Sequence, residues 1–134
     1  MKLAGTVRDF MSTDFQTVRA EEPVCNLVGK IRGFMVVMKA KEIVGLVTEM
    51  DILRSIRKSD KPADLTAADC MSPCKLKGKE VCFQISEDRP AEEALEVMTT
   101  GDISQLLVFN REKKITGVLS VNSLLKSIKE CKII

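Results

Sequence analysis

Thr48 and Asp51 put a hydroxyl and a carboxylate three residues apart at a change of pattern in the chain. Before them, Ile43 to Val47 is an apolar run interrupted only by Gly45; after them, Ile52, Leu53 and Ile56 follow at helical spacing. A hydroxyl at a strand-to-helix junction is a natural helix cap, and an acid three positions on completes a form of capping box. The same junction is also a place for an anion, because the first N–H groups of a helix are unpaired and carry the positive end of its dipole.

Other chemistries are poorly supplied. The chain has no His, which removes Ser-His-Asp and Cys-His catalysis, the usual neutral-pH proton shuttle and His-based metal sites. We therefore expect no enzyme activity and no cofactor. The five Cys are Cys25, Cys70, Cys74, Cys82 and Cys131, an odd number that points to reduced thiols rather than a disulfide framework. Cys70, Cys74 and Cys82 cluster without a Cys-x-x-Cys spacing and lack a fourth ligand, so no metal site is expected. Trp and Tyr are absent and net charge is only +2, so nothing favours a nucleic-acid partner. The basic residues at Arg54, Arg57, Lys58 and Lys61, and at Lys75, Lys77 and Lys79, read as solvated faces. No apolar run approaches the roughly 18 residues of a membrane span, and no signal peptide is evident, so the chain reads as cytoplasmic.

The elements that must position Thr48 and Asp51 follow from the pattern. Phe15 to Val18 reads as a strand. Pro23 opens a predicted amphipathic helix carrying Val24, Leu27, Val28 and Ile31 and closing at Gly33. Phe34 to Met38 and Ile43 to Val47 form a hairpin, and the Thr48 junction starts the last helix. Arg57 to Asp64 is polar and broken by Pro62, a linker.

The pattern then recurs. Asp69-Cys70-Met71-Ser72 repeats Asp9-Phe10-Met11-Ser12, Phe83-Gln84-Ile85 repeats Phe15 to Val18, and Pro90 opens a helix as Pro23 does. Gln105 to Phe109 and Ile115 to Leu119 form the second hairpin, with Gly117 at the place of Gly45. Ser120 to Ile128 repeats the stretch after Gly45. This is a tandem repeat of about 60 residues, each unit ordered β-α-β-β-α. We place the repeats at residues 1–60 and 61–134. One such unit has little core of its own, so the expected fold is α/β, two repeats packed through their sheets about a pseudo-two-fold axis.

The doubled order and the Gly-x-x-Thr/Ser-x-x-Asp ending resemble the cystathionine-β-synthase (CBS) domain, from about Val7 to Ile128. The resemblance implies a non-catalytic regulatory module. It would bind an adenosine-containing ligand (AMP, ADP, ATP or S-adenosylmethionine) in a cleft between repeats and act on an unidentified protein partner in trans. It also implies a homodimer. The alternative is a ligand-free scaffold for dimerisation or protein interaction, with the last helix of each unit as its surface.

Residue by residue, Gly45, Thr48 and Asp51 match the motif in full. The resemblance assigns Asp51 to the two ribose hydroxyls, a fitting pair for a carboxylate with two acceptor oxygens, and Thr48 to phosphate or ribose. Thr17, Val18, Phe34, Met35 and Val36 match positions lining the adenine pocket, and Leu46, inside the motif, is counted with them. The second repeat has Ser120 and Ser123 in place of Thr and Asp; Ser120 can touch phosphate, but the ribose carboxylate is missing. The first repeat is also shorter: Pro23 to Gly45 spans 45 − 23 = 22 positions, Pro90 to Gly117 spans 117 − 90 = 27. The five missing residues are expected around Ile31 to Phe34. Without a cation closer to Thr48 than Arg54, a mononucleotide or an uncharged adenosyl group is the expected ligand.

Overall fold

A computed structural model describes residues 3–73 and 84–130, and these divide into two compact units. In chain order the elements are α1 (Val7–Phe10), β1 (Thr17–Arg19), β2 (Phe34–Lys39), β3 (Glu42–Thr48), α2 (Glu49–Lys58), α3 (Ala67–Cys70) and β4 (Ser72–Pro73). They continue with β5 (Gln84–Ser86), α4 (Ala91–Gly101), β6 (Gln105–Phe109), β7 (Ile115–Ser120) and α5 (Val121–Glu130). The first unit holds residues 15–73 and a sheet ordered β1-β2-β3-β4; the second holds 3–14 with 84–130 and a sheet ordered β5-β6-β7.

The two units repeat one plan. In each, a short strand pairs in parallel with the first strand of an antiparallel hairpin, so a crossover must return the chain to the same end of the sheet. Both hairpins carry a bulge at the same place. Val37 pairs with Gly45 but Met38 with Ile43, leaving Val44 extra; Val108 pairs with Gly117 but Phe109 with Ile115, leaving Thr116 extra. The ladders also correct the sequence register by one residue. Thr17 pairs with Val36 and Gln84 with Leu107, so Thr17 corresponds to Gln84 rather than to Ile85.

The units do not follow the order of the repeats along the chain. α1 belongs with the second repeat: the N–H of Val7 donates to Arg89 O at 2.9 Å, and Ser12 bridges Val118. α3 belongs with the first repeat: the N–H of Ala67 donates to Glu22 O at 2.9 Å, and Ser72 pairs with Leu46 in the β3–β4 ladder. Each hairpin is thus completed by the Met-Ser segment of the other repeat. This also explains the conserved spacing of the glycines within the chain's own two copies. A Cβ on Gly45 would collide with Met71 Sδ and lie 2.9 Å from Ser72 O; one on Gly117 would lie 2.7 Å from Met11 Sδ and 3.0 Å from Ser12 O. Only a residue without Cβ lets the Met-Ser backbone approach this closely.

The core of the first unit gathers Val24, Leu27, Met35, Val37, Val47, Ile52, Ala67 and Cys70. That of the second gathers Leu3, Val7, Phe10, Ala94, Met98, Leu106, Val108, Leu119 and Leu124. Among the described residues no helix is long and apolar enough to cross a membrane.

One predicted element is absent. The helix expected from Pro23 to Gly33 is a single 3-10 turn, Val24–Asn26, followed by turns, whereas its counterpart α4 has 11 residues. Pro23 and Pro90 occupy equivalent bridges, to Thr66 and Thr6, and Phe34 is equivalent to Gln105 across from Thr48 and Ser120. The crossover is therefore 105 − 90 = 15 positions in one unit and 34 − 23 = 11 in the other, and the fifth missing residue lies in the hairpin. A helix advances only about 1.5 Å per residue. The shorter crossover must make the same return with four residues fewer, so it unwinds, with Gly29 at φ 88° and Gly33 at φ 80° taking the left-handed turns. Val24 and Leu27 remain buried, but Val28 is 61% exposed.

The hairpin loss leaves a two-residue turn at Ala40-Lys41, with φ of 52° and 75°. That is the backbone of a primed turn, which Asn-Gly favours. Replacing Ala40-Lys41 with Asn-Gly is expected to raise stability by about 1–2 kcal/mol, since left-handed backbone costs other residues about that much. Urea unfolding checks this; an unchanged midpoint would show that the turn carries no such strain.

Candidate functional site

The β2–β3 ladder decides which predicted site residues share a wall. Phe34 faces Thr48, and Val36 faces Leu46, with Thr17 opposite Val36 on the other side. Because side chains alternate along a strand, Thr17, Phe34, Val36, Leu46 and Thr48 fall on one sheet face. Met35 alternates to the opposite face and sits in the helix-side core with Val37 and Val47, and Val18 packs against the same core. Met35 and Val36 are buried, at 6% and 0% exposure, so the open part of the wall is Thr17, Phe34, Leu46 and Thr48. Ser120 belongs to the second unit.

Asp51 stands at the end of this wall, in the first turn of α2. One carboxylate oxygen, Oδ2, accepts the N–H of Thr48 at 2.9 Å, while Thr48 Oγ1 accepts the N–H of Asp51 at 3.1 Å. This is the capping box expected from the spacing. The other oxygen, Oδ1, lies 3.7 Å from the Arg54 guanidinium, and the Asp51 side chain is 17% exposed. One oxygen thus holds the helix start and the other remains available to a partner. Two of the first N–H groups are already used: that of Asp51 on Thr48, and that of Glu49 on Gly33 O at 3.3 Å. Less of the helix end is left for an anion than the sequence alone suggests.

The Thr-x-x-Asp spelling is not by itself diagnostic. It occurs four times in the chain: Thr6 with Asp9 and Thr66 with Asp69 cap the short helices α1 and α3, and Thr99 with Asp102 falls at the C-terminal end of α4. Asp9 and Asp69 accept the N–H groups of Thr6 and Thr66 at 2.9 and 2.8 Å. What sets Asp51 apart is its place, beside the exposed end of a sheet face. The second unit shows the cap without the acid: Ser123 Oγ accepts the N–H of Ser120 at 2.9 Å and donates to Ser120 O at 3.0 Å. That hydroxyl keeps at most one lone pair, so this junction lacks the two-oxygen acceptor that a carboxylate presents to a diol.

Sequence reading missed an apolar groove next to this site. It lies between the shortened crossover and α2, has a volume of about 340 Å³, and is lined by Val28, Ile31, Ile52, Leu53 and Ile56, with Glu49 at its end. The signal was the length deficit after Pro23. Among the described residues no group of three or more His, Cys, Asp or Glu is arranged to hold a metal; Cys74 and Cys82 lie outside those residues, as do Lys75, Lys77 and Lys79.

Comparison with known proteins agrees with the doubled architecture. The CBS domain family matches twice, over residues 7–58 and 79–130, and the chain belongs to that family. Its fold is similar to that of CBSX2 solved in complex with AMP, with a TM-score of 0.77 and 20% identity over 96% of this chain and 99% of that one. It is also similar to the CBS domain of the bacterial CNNM/CorC family Mg2+ transporter solved with ATP, with a TM-score of 0.71 and 16% identity over 92% and 87% of the two chains. Arabinose 5-phosphate isomerase KpsF of Escherichia coli is 28% identical over 125 residues, 90% of this chain; the chain spans 36% of the length of that relative.

Proposed function

We propose that this CBS pair is a non-catalytic regulatory module that binds one adenosine-containing ligand at the first unit and acts on a protein partner. The observation that carries the reading is Asp51: a half-buried carboxylate with one oxygen fixed by Thr48 and the other held only by the exposed Arg54 at 3.7 Å, beside the Thr17, Phe34, Leu46 and Thr48 wall. That second oxygen makes no hydrogen bond to Arg54 at this distance and can accept from a ribose diol, and the wall offers an apolar edge to a purine. The solved neighbours carry AMP and ATP, which supports the ligand class. Arg54 is the cation beside Asp51, which favours a mononucleotide or an adenosyl group over a triphosphate. The Ser120–Ser123 junction has no carboxylate, so one ligand per chain is the stoichiometry we expect.

The test separates binding from capping. Asp51→Ser rebuilds the Ser120–Ser123 cap in the first unit and removes only the carboxylate. A thermal-shift panel of AMP, ADP, ATP and S-adenosylmethionine on the wild type should show a rise with one of them. At 100 times its Kd a ligand adds about 2.7 kcal/mol of stability. Asp51→Ser should melt close to the wild type without ligand and lose the ligand-dependent rise. A flat response to all four ligands, or an undiminished rise in Asp51→Ser, would overturn the reading.

The scaffold alternative keeps one supporting observation. On α5, Leu124 and Ile128 join the core, but Val121 and Leu125 are 46% and 55% exposed. We assign these two residues to the pairing of two copies, for which light scattering should give twice the chain mass of 14.9 kDa.

A further inference from the structure

We propose that a second pocket of the first unit, between β1 and the shortened crossover, binds a free α-amino acid with an apolar side chain. The pocket has a volume of about 310 Å³, at the small end of the range of about 300–1,000 Å³ typical of ligand sites. Val18, Leu27, Met35 and Met38 form its apolar floor, and Arg19, Glu22, Asn26 and Lys30 its polar rim. It shares β1 with the adenosine wall but opens at the Arg19 end of that strand, and Phe34, Leu46, Thr48 and Asp51 do not line it. The crossover is pinned beside it by Gln16, whose side-chain amide donates to Lys30 O and accepts the N–H of Arg32, both at 2.8 Å.

The corresponding place in the second unit is composed differently. The bridges of Pro23 and Pro90 and the two parallel ladders match Glu22 and Asn26 to Arg89 and Glu93, Arg19 to Ser86, and Met38 to Phe109. Arg89 and Glu93 neutralise each other at 2.6 Å, one helical turn apart. In the first unit Asn26 Nδ2 donates to Glu22 Oε1 at 2.9 Å, and Oε2 has no partner among the described residues. Lys30 has no acidic partner among them either. Arg19 has only Glu21, at 2.6 Å between side chains that are 79% and 61% exposed, and solvent keeps such a pair weak. The rim thus holds one unpaired carboxylate oxygen and two cations over an apolar floor. A ligand with a carboxylate alone would leave Glu22 unpaired, and one with an ammonium alone would face Arg19 and Lys30. An α-amino acid carries both charges on one carbon. Its carboxylate matches Lys30 and Arg19, its ammonium matches Glu22, and its side chain matches the floor of Leu27, Met35 and Met38.

Calorimetric titration of the whole chain with leucine, isoleucine and methionine tests this. At least one of the three should bind saturably. Affinity should fall at least tenfold for that amino acid's N-acetyl derivative, which lacks the ammonium, for its amide, which lacks the carboxylate, and for glycine, which lacks the side chain. On the protein, Glu22→Gln keeps the bond from Asn26 and removes the charge, and Lys30→Gln removes the unpaired cation. Each should cost at least tenfold in affinity while melting like the wild type, since neither side chain belongs to the core. Met38→Phe gives the floor the side chain that Phe109 supplies in the second unit, and should abolish binding by filling the pocket. Lys58→Gln, which removes a cation outside the pocket, should leave the affinity unchanged. Absence of saturable binding by all three amino acids, equal binding of the N-acetyl derivative, or undiminished binding by both Glu22→Gln and Lys30→Gln would overturn the proposal. So would an equal loss in Lys58→Gln, which would make the effect one of net charge.

Discussion

Gly45→Val is expected to cost about 3 kcal/mol or more and to detach the Met71-Ser72 segment from the first unit. Overpacking a core side chain costs about 1–3 kcal/mol when neighbours can shift. Here one neighbour is backbone: Ser72 O lies 2.9 Å from the new Cβ, and Met71 Sδ lies closer still. Relief requires moving β4 off β3, which gives up the Gly45–Pro73 and Leu46–Ser72 pairings. Gly29→Val is the control, because it has φ 88° but nothing within 4 Å of its Cβ. It should lose only the left-handed backbone cost of about 1–2 kcal/mol. Urea unfolding of both variants checks the contrast. A Gly45→Val chain within about 1 kcal/mol of the wild type would refute the close-approach account.

Deleting residues 1–12 is expected to damage the second repeat, not the first. Those residues contribute Leu3, Val7 and Phe10, at 8%, 0% and 3% exposure, to the core beneath β6 and β7. Burial of each is worth about 1.5–3 kcal/mol, so the loss of all three removes about 4.5–9 kcal/mol as an upper figure. That is comparable with the total stability of a typical domain, about 5–15 kcal/mol. Glu92 also loses the N–H of Leu3, donated at 2.8 Å. Hydrogen exchange should show protection lost over residues 105–120 and largely kept over 34–48. The reverse distribution would mean that the N-terminal segment serves its own repeat.

The sequence made the strands and the doubling readable because each hairpin carries its own signals: β-branched runs, polar turns and a glycine at one fixed place. It did not make the exchange of α1 and α3 readable, because Asp9-Phe10-Met11-Ser12 and its copy look alike whichever hairpin they complete. The predicted helix from Pro23 failed for a length reason. Val24, Leu27, Val28 and Ile31 have the right period, but the crossover is too short to spend residues on helical rise. At the candidate site, the capping box of Thr48 and Asp51 was legible from spacing alone. Which side chains share its wall was not, since Met35 and Val36 are neighbours in sequence and opposites in the sheet.

The exchanged Met-Ser segments make the chain the covalent equivalent of a domain-swapped dimer. Each repeat lends its leading segment and borrows the other's, so a single repeat of this sequence cannot close its own sheet edge. Expressed by itself, it could complete that edge only by trading segments with a second molecule. The duplication in the gene therefore has a mechanical meaning: it fixes the partner of the trade at a ratio of one to one, independent of concentration.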